Sequence, residues 1–228
     1  MPTATTPTRT PVATLARRAL LPAAAVAVFA ATLAPVALAS AQSAPAFPQP
    51  KLFPAEWELD FDNRAPKRIV VDGTAYWYMT YTVTNNTDTE RSFIPTVDLV
   101  TRDGQVLRAN RDVPDGVYEA INKRFRSDEL TAPKKIYRLL LGDDQRVTTV
   151  AIWKEPMAEM GTFDVFIGGL SGEIVRLKDA SGNELQNADG EPILVRKTKQ
   201  LRYKVRGDDI PSDRPDPIIP VLDTWVMR

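Results

Sequence analysis

From Trp57 onward apolar and polar residues alternate, which is the period of a strand with one face in a core. In 56–62, Glu56, Glu58, Asp60 and Asp62 share one parity and Trp57, Leu59 and Phe61 the other. This pattern predicts a half-buried strand with an acidic outer face. Runs 67–71 and 75–84 flank Asp72-Gly73, and Asp-Gly between β-rich runs is a strong hairpin signal. In the second run Trp77, Met79, Tyr81 and Val83 fall on one face, and Tyr76, Tyr78, Thr80, Thr82 and Thr84 on the other. Asn85-Asn86-Thr87-Asp88 reads as a turn. Phe93, Pro95, Val97 and Leu99 alternate through the next strand, where Pro95 marks an edge or a bulge. Asp103-Gly104 then returns the chain along 105–109. Further strands are expected at 135–141, at 147–154, through Phe163, Val165 and Ile167, and at 173–178. The last has Leu201, Tyr203 and Val205 alternating with Arg202, Lys204 and Arg206.

One segment departs from period two. In 115–126, Val117, Ile121 and Phe125 recur every four residues with Tyr118 beside them, and Asp115 can cap the start. A short amphipathic helix is expected there. Residues 179–192 are rich in turn formers and read as a hairpin-like insertion, and 208–228, with four prolines, as an extended Pro-rich C-terminal tail. No internal repeat is evident. Many short strands, Asp-Gly turns and one helix predict an all-β fold, an antiparallel sandwich with one short helix insertion. Trp77, Met79, Tyr81, Val83, Phe163, Val165 and Ile167 are expected in one core.

The N-terminus follows a different logic. Residues 1–18 lack acids and end in Arg17-Arg18; 19–39 are mostly alanine and apolar, and small residues close the segment at Ala39-Ser40-Ala41. This is the order of a secretory signal peptide, with cleavage expected after Ala41 or Ala39; an uncleaved membrane anchor is the alternative. Residues 1–41 are therefore assigned to the signal, 42–55 to a Pro-rich lead-in, 56–207 to the β domain and 208–228 to the tail. The expected location is exported, either periplasmic or extracellular.

Composition narrows the chemistry. The 228 residues hold 29 Lys+Arg, 29 Asp+Glu, and neither His nor Cys. Setting aside Arg9, Arg17 and Arg18 leaves 26 basic and 29 acidic side chains. Disulfides, thiol nucleophiles, Ser-His-Asp triads and His- or Cys-ligated metals are excluded. The near-neutral balance argues against nucleic acid as a partner, and no cofactor or metal is implied. A membrane would be met only through an uncleaved signal.

The run YWYMTYTVTNNTDTERSFIPTVDLVTRDG, followed by FDVFIGGLSGE, resembles exported bacterial proteins with an immunoglobulin-like β-sandwich. The resemblance spans about residues 57–206 and implies the fold class. It carries over no functional residue, and the Cys pair of true immunoglobulin domains is missing.

Several groups are candidates for a site. The acidic row from Glu56 to Asp62 reads as a solvated face, with a calcium site or a carboxylate pair as the sharper alternatives. Arg196, Lys197, Lys199, Arg202, Lys204 and Arg206 form a basic run without an acid. It reads as a charge-protected edge strand, as a partner of the acidic row, or as a patch for an anionic polymer. Tyr76 and Tyr78 are core, or an exposed aromatic platform for a sugar or peptide. The proposed binding surface is thus Tyr76, Tyr78, Arg196, Arg202, Lys204 and Arg206. Ser171 lacks the context of a nucleophile elbow, and Asp179–Asn183 fits a turn better than a calcium loop. The hydrophobic groups of the tail either pack on the domain or dock into a partner. The leading expectation is a non-catalytic exported domain for binding, scaffolding or envelope structure, with an envelope protein or glycan as partner class. The alternatives are a carbohydrate-binding module using Tyr76, Tyr78 or Trp153, and a glycan hydrolase using carboxylates such as Glu56, Glu58, Glu155 or Glu159.

Overall fold

The structure, a computed structural model, describes residues 47–53, 56–125, 130–135, 139–140, 145–157, 160–205 and 218–228. The chain separates into two units, Met1–Ala41 and Gln42–Arg228, and every described residue belongs to the second.

Two antiparallel sheets enclose one core. Sheet A contains β1 (Asp60–Asn63), β2 (Lys67–Val71), β3 (Thr74–Thr84) and β8 (Arg146–Lys154). Strands β1 and β2 run along one side of β3, and β8 along the other. The pairs Asn63↔Tyr81 and Lys67↔Tyr78 leave three residues, 64–66, opposite two. This bulge accommodates Pro66, which has no N–H to give a ladder. The Asp72-Gly73 turn closes β2 onto β3 with both residues at positive φ, 49° and 75°, as a type I′ hairpin requires. Sheet B contains β5 (Thr96–Val100), β6 (Val106–Arg108), β9 (Thr162–Gly168), β10 (Ile174–Arg176), β11 (Leu194–Val205) and β12 (Ile218–Met227). Its order across is β6, β5, β9 and β11, with β10 on β11 beyond the end of β9 and β12 also paired with β11. A small ladder joins β4 (Arg91–Ser92) to β7 (Leu139–Leu140).

The core lies between the sheets. Trp77, Met79, Tyr81 and Val83 of β3 and Val147, Ala151 and Trp153 of β8 meet Val97, Leu99, Phe163, Val165, Ile167, Leu201 and Tyr203 from sheet B. All seven residues expected to share a core do so. Trp77 and Phe163 touch across the gap with ring centroids 5.9 Å apart. Asn63 Nδ2 donates to the Tyr203 hydroxyl at 2.7 Å, a polar tie between the sheets.

A second apolar cluster lies on the opposite face of sheet A. Helix α1 (Asp115–Phe125) lays Val117 and Ile121 over Ile69, Tyr76, Tyr78, Val150 and Ile152. The middle of β3 is therefore buried on both faces, although its sequence reads as alternating. Asp115 is the first helical residue rather than a cap; its carboxylate sits at the positive end of the helix and accepts from Lys134 at 2.6 Å.

Four expectations need correction. The acidic segment 56–62 is not one strand. Leu59 N–H donates to Leu170 O and Gly172 N–H to Trp57 O, so 57–59 pair with the connection between β9 and β10, while β1 joins sheet A. Of the strand expected at 135–141, Lys135 ends a 3-10 turn, Pro133–Lys135, and Leu139–Leu140 form a strand, while 136–138 and 141 lie outside the described residues. The extended tail is a strand over much of its length: β12 pairs with β11 from Lys197↔Met227 to Val205↔Ile218. Proline is tolerated there because β12 is an edge and Val221 bulges out of the ladder beside Pro220.

The fourth correction is a repeat of eight residues in 177–193. Leu177 N–H donates to Ile193 O, Leu185 N–H to Leu177 O, and Ile193 N–H to Leu185 O, closing a ring of backbone bonds. Between these corners lie two like loops. Asp179 Oδ1 accepts from the N–H groups of Ser181 and Asn183, and Asn187 Oδ1 from those of Asp189 and Glu191. Gly182 and Gly190 take the same positive φ, 87° and 81°.

Candidate functional site

The sequence-level binding surface is not assembled. Tyr76 and Tyr78 are 6% and 8% exposed because α1 lies over them, so they are core and not an aromatic platform. Arg202 makes a two-pronged ion pair with Asp164 on the adjacent β9, at 2.7 and 2.9 Å, and that pairing raises its pKa. Arg196 and Lys204 are exposed on β11, and Arg196 exchanges backbone bonds with Arg228. Arg206 lies outside the described residues, as does Glu159.

The acidic and basic stripes do not face each other along their length, since β1 and β11 belong to different sheets. Among the described residues they meet at Lys197, which lies on the opposite parity of β11 from Arg196, Arg202 and Lys204. Lys197, 2% exposed, donates to Glu58 at 2.7 Å and lies 3.8 Å from Glu173. This contact exists because residues 57–59 run along the connection between β9 and β10 before the chain crosses to sheet A. Glu173 Oε1 accepts the Lys51 N–H, and Trp225 of β12 covers the ammonium at 5.0 Å.

The remaining candidates resolve as structure. Glu155 is held by Arg68 at 2.7 and 2.8 Å and by Trp77 Nε1 at 3.0 Å. Trp153 is buried, and Ser171 accepts the Glu173 N–H. The Asp179 carboxylate is pulled below its usual range by backbone and side-chain hydrogen bonds from Asn183 and by the Ser181 N–H, which uses its oxygens within the loop. Among the described residues no group of three or more acids converges as a metal site would need. Asn85, which opens the Asn85–Asp88 turn, is fully buried with its side chain bonded to Thr87 and Thr89.

What the fold does assemble is a polar floor on the outer face of sheet A, beyond the end of α1. Registers across β1, β3 and β8 place Asp62, Thr82 and Thr148 in one row, and Asp60, Thr84 and Arg146 in the next. Directly opposed residues of antiparallel strands point to the same side. Thr82 and Thr148 prove it here, with their hydroxyls 2.9 Å apart. Strand spacing makes the floor about 10 Å wide and its rows about 7 Å apart. Asp62, Thr82, Arg146 and Thr148 line a hollow of about 150 Å³ with Arg64 and Phe125 at its rim. The Arg64 guanidinium stacks on the Phe125 ring at 5.3 Å. An adjoining hollow of about 380 Å³ is lined by Asp60, Asp62, Thr82 and Thr84. Asp60 also accepts from Asn86.

Parity alone placed Thr80, Thr82 and Thr84 on the face of the tyrosines. It did not show that α1 stops short of them, nor that the acids of β1 stand in the same rows. The signal was present in Asp60/Asp62 and Arg146/Thr148, each an i,i+2 polar pair beside an apolar residue, but only the register joins them. The chain matches no protein-family model, no curated protein and no solved structure.

Proposed function

We propose that the protein is an exported, non-catalytic immunoglobulin-like β-sandwich that binds a component of the bacterial cell envelope on the open half of sheet A. The carrying observation is the two-row floor, where hydroxyls, carboxylates and a guanidinium stand at fixed spacing next to a helix-covered half.

The fold assignment draws support from strand order. Taking β1–β2 as the first strand and naming the rest in chain order, sheet A reads A-B-E and sheet B reads C′-C-F-G, the immunoglobulin arrangement, with β12 added beyond G. The Trp77–Phe163 contact joins strands B and F, which a disulfide joins in antibody domains. Export rests on the Arg17-Arg18, apolar and Ala39-Ser40-Ala41 sequence. Among the described residues no helix is long and apolar enough to cross a membrane. The hydrolase reading has less support, because Glu58 and Glu155 are each engaged by a cation.

The test is co-sedimentation. The full chain is expressed with its own leader, recovered from outside the cytoplasm, and mixed with washed envelope from the producing cell. Retention in the pellet is expected, and Thr82→Arg should abolish it by filling the floor. A protein that stays in the cytoplasm, or never pellets with envelope, overturns the reading.

A further inference from the structure

We propose that a hollow between the two sheets, floored by Tyr81 and walled by Ile94, Pro95, Val97, Ala109 and Pro133, binds a small, neutral, largely apolar molecule carrying one hydrogen-bond-accepting oxygen. The site is separate from the floor on the outer face of sheet A and goes beyond the envelope-binding reading. Its volume is about 230 Å³. Packed interiors leave few voids larger than a water molecule, and an apolar cavity of about 150 Å³ takes benzene. The hollow therefore suits a single ring with a short substituent, about nine non-hydrogen atoms. Residues 94–97 lead into β5, 108–110 leave β6, 133–134 belong to the 3-10 turn, and β3 supplies Tyr81. Backbone and side-chain bonds hold these walls in place. Ala109 N–H donates to Val97 O at 2.8 Å, and Asn110 clips the wall to the edge of β8, accepting from Ile152 N–H at 3.0 Å and donating to Val150 O at 3.3 Å.

The polar groups of the lining decide the chemistry. Arg108 at the rim is committed to Asp98 at 2.5 and 3.3 Å, Lys134 to Asp115 at 2.6 Å, and the Asn110 amide to β8. The Tyr81 hydroxyl is different. Tyr81 is 2% exposed on the core side of β3, and its ring packs on Phe61 at 5.6 Å. Its hydroxyl has no hydrogen-bond partner among the described residues. Burial alone raises its pKa, whereas at Tyr203 a hydrogen bond with Asn63 opposes the same effect. A buried hydroxyl left unpaired costs stability, and a phenol both donates and accepts. The hollow thus offers one free donor, apolar walls and two cations already matched by carboxylates. A charged ligand would lose its hydration there without gaining an unpaired counter-charge. A carbonyl or ether oxygen would meet the phenol, and its apolar body the walls, which is the usual division of labour in a small-molecule site.

Three probes of equal size separate the terms: acetophenone, with one acceptor; cumene, with none; and benzoate, with a charge. Each is titrated into the full exported protein and followed by saturation-transfer difference NMR. Acetophenone should bind saturably, cumene roughly tenfold more weakly for want of the hydrogen bond, and benzoate not measurably. Tyr81→Phe removes a hydroxyl that has no partner, so the melting temperature should hold or rise while acetophenone falls to the level of cumene and cumene is unchanged. Ala109→Leu narrows the hollow and should weaken both neutral probes. Failure of acetophenone to saturate overturns the proposal. Equal binding of acetophenone and cumene, or of acetophenone and benzoate, overturns it too, as does binding indifferent to Tyr81→Phe. Should Ala109→Leu fail to fold, the Tyr81→Phe titrations decide alone.

Discussion

Lys197 and Glu58 form an ion pair at 2.7 Å across a crossing point, where residues 57–62 leave the connection between β9 and β10 for sheet A. The lysine is almost wholly buried, as is Glu173 beside it, while Glu58 keeps a quarter of its side chain in solvent. Removing one partner of a buried ionic group strands the other in a low dielectric, which costs about 3–5 kcal/mol. Lys197→Met should therefore lower the denaturant midpoint strongly. Adding Glu173→Gln should recover part of the loss, because the stranded charge is gone. A Lys197→Met protein as stable as the parent would show that this cluster contributes nothing.

The basic stripe has its own partner. Arg202→Glu should cost about 0.2–1 kcal/mol, the scale of a partly exposed pair, by placing like charges side by side on β9 and β11. Adding Asp164→Arg should restore it. Reversing Glu58 and Asp60 should not, since neither reaches Arg202. Chemical denaturation of the three variants separates these outcomes.

Helix α1 closes sheet A. Ile121→Ala should destabilise by about 2–5 kcal/mol, the usual range for a buried Ile, and should raise the exposure of Tyr76 and Tyr78 to solvent perturbation in the near-ultraviolet. Little loss, with unchanged tyrosine spectra, would mean that the helix is not seated on them.

Alkaline stability reports the core hydroxyls. Burial pushes the Tyr203 hydroxyl up to about 12, against the Asn63 hydrogen bond, which lowers it, while the Asp223 charge adds a smaller upward push. Burial also raises Tyr81. An unfolded chain releases these protons near pH 10, while the native state still holds them. The contribution is thus complete below about pH 10 and is lost as pH rises toward 12. Unfolding midpoints should fall over that window, and less steeply in Tyr203→Phe. A flat profile would contradict the burial.

The legible parts of the fold were those fixed by neighbours in the chain. Asp72-Gly73 required its hairpin, and the strict alternation from Trp77 to Val83 and from Phe163 to Ile167 named the core. Three features were set by partners distant in sequence. Tyr76 and Tyr78 look like a surface row until α1, some forty residues on, covers them. Residues 56–62 alternate without a break, yet hydrogen bonds to Leu170 and Gly172 hold the first part and β3 holds the second. Pro220 argues against a strand in any local reading and is harmless on an outer edge. The candidate floor needed register, since no single strand carries more than one column of it.

The two loops in 177–193 have a consequence for how this molecule can change length. Each eight-residue unit satisfies its own turn through one Asx side chain and one glycine, and its backbone is tied at the corners Leu177, Leu185 and Ile193, with Glu184 also paired to Arg176 of β10. Deleting one unit would leave the other able to cap β10 and β11 as a plain hairpin. Gains and losses in steps of eight residues are therefore open to this protrusion, while any other step would misplace the corner residues. Among the described residues it is a place where the domain can grow or shrink without disturbing either sheet.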